Sequence, residues 1–202
     1  MKSQLHGLLL AGGRSTRMGR DKASLVIRDR GLSQAAYALA LLQHFCPQTY
    51  LSLRDGQGIP CGAEGAQVIR DEPGAEGPMA GLLAAFRQAP DAAWLVLACD
   101  LPFVHPGLLA RLVEQHEAKP TLAFVACATA VGGQPEPLCA IYGPSAGPIL
   151  ARHASHGQFS PRRIMIEENA LWLDVSEEDA GALTNVNTPQ DLAAACAQLN
   201  PQ

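Results

Sequence analysis

Two kinds of apolar pattern alternate along the chain, with Gly, Pro and Ser at the boundaries between them. Leu5 to Ala11 is a short apolar run bounded by glycines, as expected of a strand buried on both faces. Ser33 then stands as N-cap to an Ala/Leu helix reaching about Phe45. Tyr50 to Arg54 and Gln67 to Arg70 have strand character, and the Gly-rich, non-periodic Asp55 to Gly65 between them reads as a loop. Pro78 suits a first helical residue, so Met79 to Gln88 is predicted helical until Pro90 stops it. Trp94 to Ala98 is the clearest buried strand and ends in Cys99-Asp100-Leu101-Pro102. After Pro106, Leu108, Leu109, Leu112 and Val113 share one helical face, and Thr121 to Ala128 returns to strand. Beyond Gly132 the pattern is less regular: a strand at Leu138 to Tyr142, helices near Pro144 to His153 and Pro161 to Glu168, and a strand at Leu171 to Val175. Thr188, Pro189 and Asp191 combine as N-cap, first residue and capping-box acid of a final helix.

Strands alternating with helices of ten or more residues imply crossover connections and a mainly parallel sheet sandwiched by helices, so the fold class is α/β. A chain of 202 residues suits a single domain. With 48% hydrophobic and 17% charged residues it has enough apolar surface to offset chain entropy, which excludes global disorder. Its longest apolar runs, Ala35 to Leu42 and Ala92 to Cys99, are far shorter than the roughly 18 to 20 residues a membrane helix needs. Leu8 to Ala11 is too short for a secretory core, so no membrane association and a cytoplasmic location are expected. The six cysteines lie far apart with no C-x-x-C pair, and read as small buried hydrophobes. The histidines show no metal-binding spacing, and His153 and His156 read as exposed.

A net charge of −4 argues against a general nucleic-acid binder, yet Arg14, Arg17, Arg20 and Lys22 concentrate four of the fifteen basic residues in nine positions. That is the pattern of a local anion site. It lies in Leu10-Ala11-Gly12-Gly13-Arg14-Ser15-Thr16-Arg17-Met18-Gly19-Arg20-Asp21-Lys22, immediately after the first strand, where parallel sheets bind ligands. Glycines there let phosphate oxygens approach main-chain amides. The glycine spacing fits neither a Walker loop nor a dinucleotide fingerprint.

The string Leu-Ala-Gly-Gly-x-Ser-x-Arg-Met-Gly-x-Asp-Lys resembles the signature of the molybdenum cofactor guanylyltransferases (MobA-type), within the larger nucleotidyltransferase group. The likeness extends to Val68-Ile69-Arg70-Asp71, Gly77-Pro78-Met79-Ala80-Gly81, Cys99-Asp100-Leu101-Pro102-Phe103 and Asn185-Val186-Asn187-Thr188-Pro189, and is weak between about Gly132 and Leu183. The resemblance implies a three-layer Rossmann-like nucleotidyltransferase fold, with residues 1–104 binding nucleotide and metal and residues 105–202 facing the acceptor. It implies transfer of GMP from GTP to the phosphate of molybdopterin, and transient contact with other proteins of molybdenum cofactor biosynthesis. By resemblance Leu10, Ala11, Gly12, Gly13, Lys22, Asp71, Gly81 and Asp100 contact GTP, and Asp100 binds Mg²⁺. Rival readings are a cytidylyl or sugar-phosphate transferase and a non-catalytic nucleotide-binding module.

Nucleotidyl transfer builds negative charge on departing pyrophosphate, so it calls for a divalent cation and basic residues. Asp100 closes an apolar strand, where an ionised carboxylate needs a cation or several donors; the alternative is an aspartate capping the next turn. Arg17 and Lys22 supply the charge, while Arg14 and Arg20 occupy variable positions of the motif and read as solvent-facing. Asp71 either meets the nucleoside or the metal site, or forms a turn before Pro73 and Gly74. Gly77 and Gly81 serve either close backbone approach to the base or turn chemistry. Asn185 and Asn187 line the site by resemblance or close Asx turns, and Arg162 and Arg163 either meet the acceptor's anionic groups or are solvated. One departure stands out: family members often carry an asparagine near the end of the second strand, whereas this chain has Leu51-Ser52-Leu53-Arg54.

Overall fold

The computed structural model describes residues 4–12, 22–27, 31–128, 133–175, 179 and 181–200. Seven strands form one sheet in the order β3-β2-β1-β4-β6-β5-β7: β1 (Leu5–Leu10), β2 (Gln48–Leu53), β3 (Gln67–Arg70), β4 (Ala93–Ala98), β5 (Phe124–Ala128), β6 (Pro135–Tyr142) and β7 (Leu171–Leu173). Every neighbouring pair is parallel except those of β6, which runs antiparallel to both β4 and β5. The short connection from β5 to β6 dictates this, because a parallel return needs a crossover of a dozen or more residues.

The helices are α1 (Gln34–Phe45), α2 (Pro78–Gln88), α3 (Pro106–Ala118), α4 (Ala146–Ser155), α5 (Pro161–Glu167) and α6 (Pro189–Leu199), with a short 3₁₀ turn at Lys22–Ser24. The strand side chains alternate between two cores. Leu9, Leu51, Leu95, Leu97, Val125 and Ile141 pack with the buried residues of α1 and α3. Leu8, Tyr50, Trp94, Val96, Phe124 and Tyr142 pack with those of α2, α4 and α5. That alternation is the three-layer arrangement, and it leaves β4 buried along its whole length. A third cluster of Ile27, Val186 and Ala195, joined by Leu192 and Leu199, seats α6.

The expected elements are present, with shifted ends. Strand β5 begins at Phe124, because Leu122 N–H turns back to Lys119 C=O and closes the end of α3. Strand β6 starts three residues early, at Pro135, despite two prolines. Its pairing with β5 slips between Ala126 and Cys127, so Pro137 falls in the irregularity, where its missing N–H is not needed. Helix α4 begins two residues later than expected, and β7 ends at Leu173. The cysteine reading holds for Cys46, Cys127 and Cys139, which are buried, but Cys61 is exposed and Cys99 and Cys196 are half-buried. His156 is exposed as expected, whereas His153 is half-buried against Glu167 and Glu168. No described helix is long and apolar enough to cross a membrane.

Candidate active site

The carboxyl ends of β1, β2, β3 and β4 open on one cavity of about 1110 Å³. It runs from Ala98, Cys99 and Asp100 past Leu10, Ala11 and Gly12 to Ser52, Arg54 and Asp71, and on to the turn from Pro73 to Pro78. Parallel strands end together, so residues far apart in sequence meet at one edge.

The floor is held by backbone hydrogen bonds that continue past the strand ends. Ala11 N–H donates to Ser52 C=O (3.1 Å), Cys99 N–H to Leu10 C=O (3.3 Å) and Asp71 N–H to Leu53 C=O (3.0 Å). Asp71 is therefore no turn-former: Ser52 Oγ donates to its Oδ1 (2.6 Å), while its Oδ2 overhangs Gly12 so closely that a Cβ there would lie 2.8 Å away. Gly12 is glycine because a side chain would displace the Asp71 carboxylate. Gly81 is demanded by close approach too, since a Cβ would fall 2.6 Å from Leu10 Cδ2 and closer still to Ser52 Oγ. Gly77 serves conformation instead: as N-cap of α2 it has φ 58° and ψ −142°, a region that L side chains rarely enter.

Asp100 stands at the end of β4, half-buried, with its Oδ1 shielded from solvent. Its C=O accepts from Val186 N–H (2.9 Å), which brings Asn185 and Asn187, on either side of buried Val186, to this end of the cavity. Asn187 and Thr188 N–H both donate to Asp191 Oδ2 in the capping box of α6. Asp100 is the carboxylate at this end of the cavity, and a divalent cation held largely by substrate phosphates and water needs only one or two protein carboxylates.

Glu136 escaped the sequence reading. It is 3% exposed, at the start of β6, which pairs antiparallel with β4 and so brings Glu136 within electrostatic reach of Asp100. Arg162 Nη2 donates to its Oε2 (2.9 Å) and Leu138 N–H to its Oε1 (3.0 Å). Burial nevertheless pushes the Glu136 carboxyl above the usual range; the Leu138 N–H and Arg162 pull it down, and the nearby Asp100 charge adds to the rise. An acid between two prolines just ahead of an apolar run was the available signal. Of the two candidate arginines, Arg162 thus turns inward, its Nε also bonding Pro135 C=O (3.1 Å). Arg163 lies along the surface against Glu167, with 70% of its side chain exposed.

The structure brings together Leu10, Ala11, Gly12, Asp71, Gly81 and Asp100, while the Asp100 C=O ties in the Asn185–Asn187 segment. Gly13 and Arg17 lie outside the described residues, as do Arg14 and Arg20; of Lys22 only the backbone, in the 3₁₀ turn, is described.

Comparison with known proteins adds independent evidence. The family profile of the MobA-like NTP transferase domain matches residues 7–171. A molybdenum cofactor guanylyltransferase from Pseudomonas aeruginosa is 30% identical over 92% of this chain and 91% of its own. A molybdenum cofactor biosynthesis bifunctional protein from Synechocystis is 32% identical over 94% of this chain, which spans about half (53%) of that longer protein. Among solved structures, molybdopterin-guanine dinucleotide biosynthesis protein A from Archaeoglobus fulgidus superposes with a TM-score of 0.74 at 27% identity, covering 94% of this chain and 96% of its own.

Proposed function

The chain belongs to the MobA-like NTP transferase family, and from that premise we propose that it transfers GMP from GTP to the phosphate of molybdopterin, releasing pyrophosphate. The observation that carries this reading is a cavity at the ends of four strands that Gly12, Asp71 and Asp100 line together. A nucleotide laid along it has its α-phosphate near Asp100 and its nucleoside toward Asp71. Residues 1–104 then serve the nucleotide and metal, and residues 105–202 the acceptor.

An oxygen of the acceptor phosphate attacks the α-phosphorus, the bond from that phosphorus to the bridging oxygen breaks, and pyrophosphate leaves with the electron pair. The acceptor oxygen is already ionised near neutral pH, so no general base is needed. Magnesium, when bound, neutralises charge on the phosphates. The chain's own part is to hold and orient. Leu10, Ala11 and Gly12 present backbone to the nucleotide; by the family motif Gly13 would join them, Arg17 and Lys22 would offset the leaving group's charge, and Asp100 would hold the cation. Gly81 lets α2 close on the nucleoside side. Asn185, Asn187 and Arg162 face the acceptor. Arg163, paired with Glu167, is left to solvent. The six thiols, all free, suit a reducing cytoplasm.

The test is pyrophosphate release on mixing protein, Mg²⁺, GTP and molybdopterin, with CTP, ATP and sugar phosphates in parallel. Release with GTP and molybdopterin alone is expected, and Asp100→Ala is expected to abolish it with the fold intact. Turnover with CTP or with sugar phosphates instead would replace this reading.

A further inference from the structure

Three arginines line the nucleoside end of the cavity, and two are committed. Arg87 pairs with Glu72. Arg70 Nη1 donates to the C=O of Arg54 (2.9 Å) and of Gln57 (2.8 Å). The third, Arg54, makes no side-chain hydrogen bond or ion pair among the described residues. Its backbone is nonetheless pinned on both sides. Its N–H donates to Gln57 Oε1 (3.3 Å), its C=O accepts from Arg70, and Gln57 Nε2 reaches across to the C=O of Ala11 (2.9 Å). The result is a guanidinium with all five donors available on an anchored main chain, with Cγ 3.4 Å from where a Gly12 Cβ would lie.

Arg54 follows β2, two strands from β4, so at 4.7–4.9 Å per strand it lies roughly 10 Å along the sheet from Asp100. That is about the reach from a nucleotide's 5′ phosphate to its base. We infer that Arg54 is a specificity-determining residue that reads the O6/N7 edge of guanine. The guanidinium fork matches two adjacent acceptors, which guanine offers there; adenine puts an amino donor beside N7, and the corresponding edge of cytosine carries only its N4 amino donor. The neighbouring Asp71 carboxylate, an acceptor, complements the same base's N1–H and 2-amino donors. This inference rests on the guanylyl reading above, and the experiment separates the two.

The probes are GTP, ITP, 7-deaza-GTP and CTP, with binding measured by calorimetry on the full chain and on Arg54→Ala and Arg54→Lys. In the unmodified protein, loss of N7 in 7-deaza-GTP is expected to weaken binding about five- to tenfold, while ITP, which keeps O6 and N7, retains the Arg54 contribution. Arg54→Ala is expected to weaken GTP and ITP about ten- to hundredfold, leave CTP unchanged, and erase the difference between GTP and 7-deaza-GTP. Arg54→Lys keeps the charge and loses the fork, so it is expected to behave like Arg54→Ala. An equal loss for all four nucleotides would move Arg54 to the phosphates and overturn the inference, as would an unchanged GTP affinity. If the unmodified protein itself shows no preference for GTP over CTP, the guanylyl reading falls first and takes this one with it.

Discussion

At the scale of single residues, burial and an ion pair act against each other on one carboxylate beside the site. Glu136 is held by Arg162 and still has its carboxyl pushed up, so desolvation outweighs the ion pair. A raised folded value means that its stabilising share is complete below the ordinary glutamate range and is lost as pH rises through the raised value. Glu136→Gln has no such dependence, so its melting temperature relative to the unmodified protein is expected to climb as pH goes from 4 to 7. Parallel melting curves across that range would contradict this. Lys22→Ala is expected to weaken GTP binding about ten- to hundredfold, the equivalent of one charge-assisted hydrogen bond of roughly 1.5 to 3 kcal/mol; an unchanged dissociation constant would put Lys22 outside the site. Asp100 was legible in the sequence because a charge closing an apolar strand is physically anomalous. Glu136 was not, because the fact that matters, its nearness to Asp100, follows from the antiparallel pairing of β6 with β4, which no local pattern reveals.

At the scale of elements, the cavity's tightness comes from how closely α2 sits on β1 and β2. Gly81→Ala drives a methyl into Leu10 and Ser52, and overpacking of this kind costs typically 1–3 kcal/mol. Because Ser52 also orients Asp71, the variant is expected to lose GTP affinity along with stability. Urea denaturation and GTP titration on the same sample check both; a stable variant with weak GTP binding would mean that Gly81 serves the ligand alone. Helices were the most legible elements, since Ser33, Pro78 and Thr188 announce their starts through caps and fixed φ. Thr121 to Ala123 misread as strand because apolar composition does not distinguish a strand from the turn that ends α3. The antiparallel insertion of β6 was equally hidden: alternation of strand and helix predicts parallel neighbours, and only the short link from β5 breaks that rule.

At the scale of the whole molecule, two buried histidines are expected to contribute to acid sensitivity of the fold. His6 on β1 lies between Tyr50 and Trp94, and His116 sits on the packed face of α3. Burial lowers the pKa of both, with Glu117 opposing it at His116. A lowered value gives stability that is present above the ordinary imidazole range and lost as pH falls through the lowered one. Replacing both residues with Gln is expected to flatten the fall in melting temperature between pH 7 and 5; an equally steep fall would assign that loss to other groups. The bond from Val186 N–H to Asp100 C=O has a consequence for synthesis. Asp100 emerges from the ribosome long before its partner, some 86 residues earlier, or roughly 4 to 17 s at 5–20 residues per second. Until residues 185–187 are out, a nascent chain has the nucleotide-facing strands without the bond that braces Asp100 from beyond them.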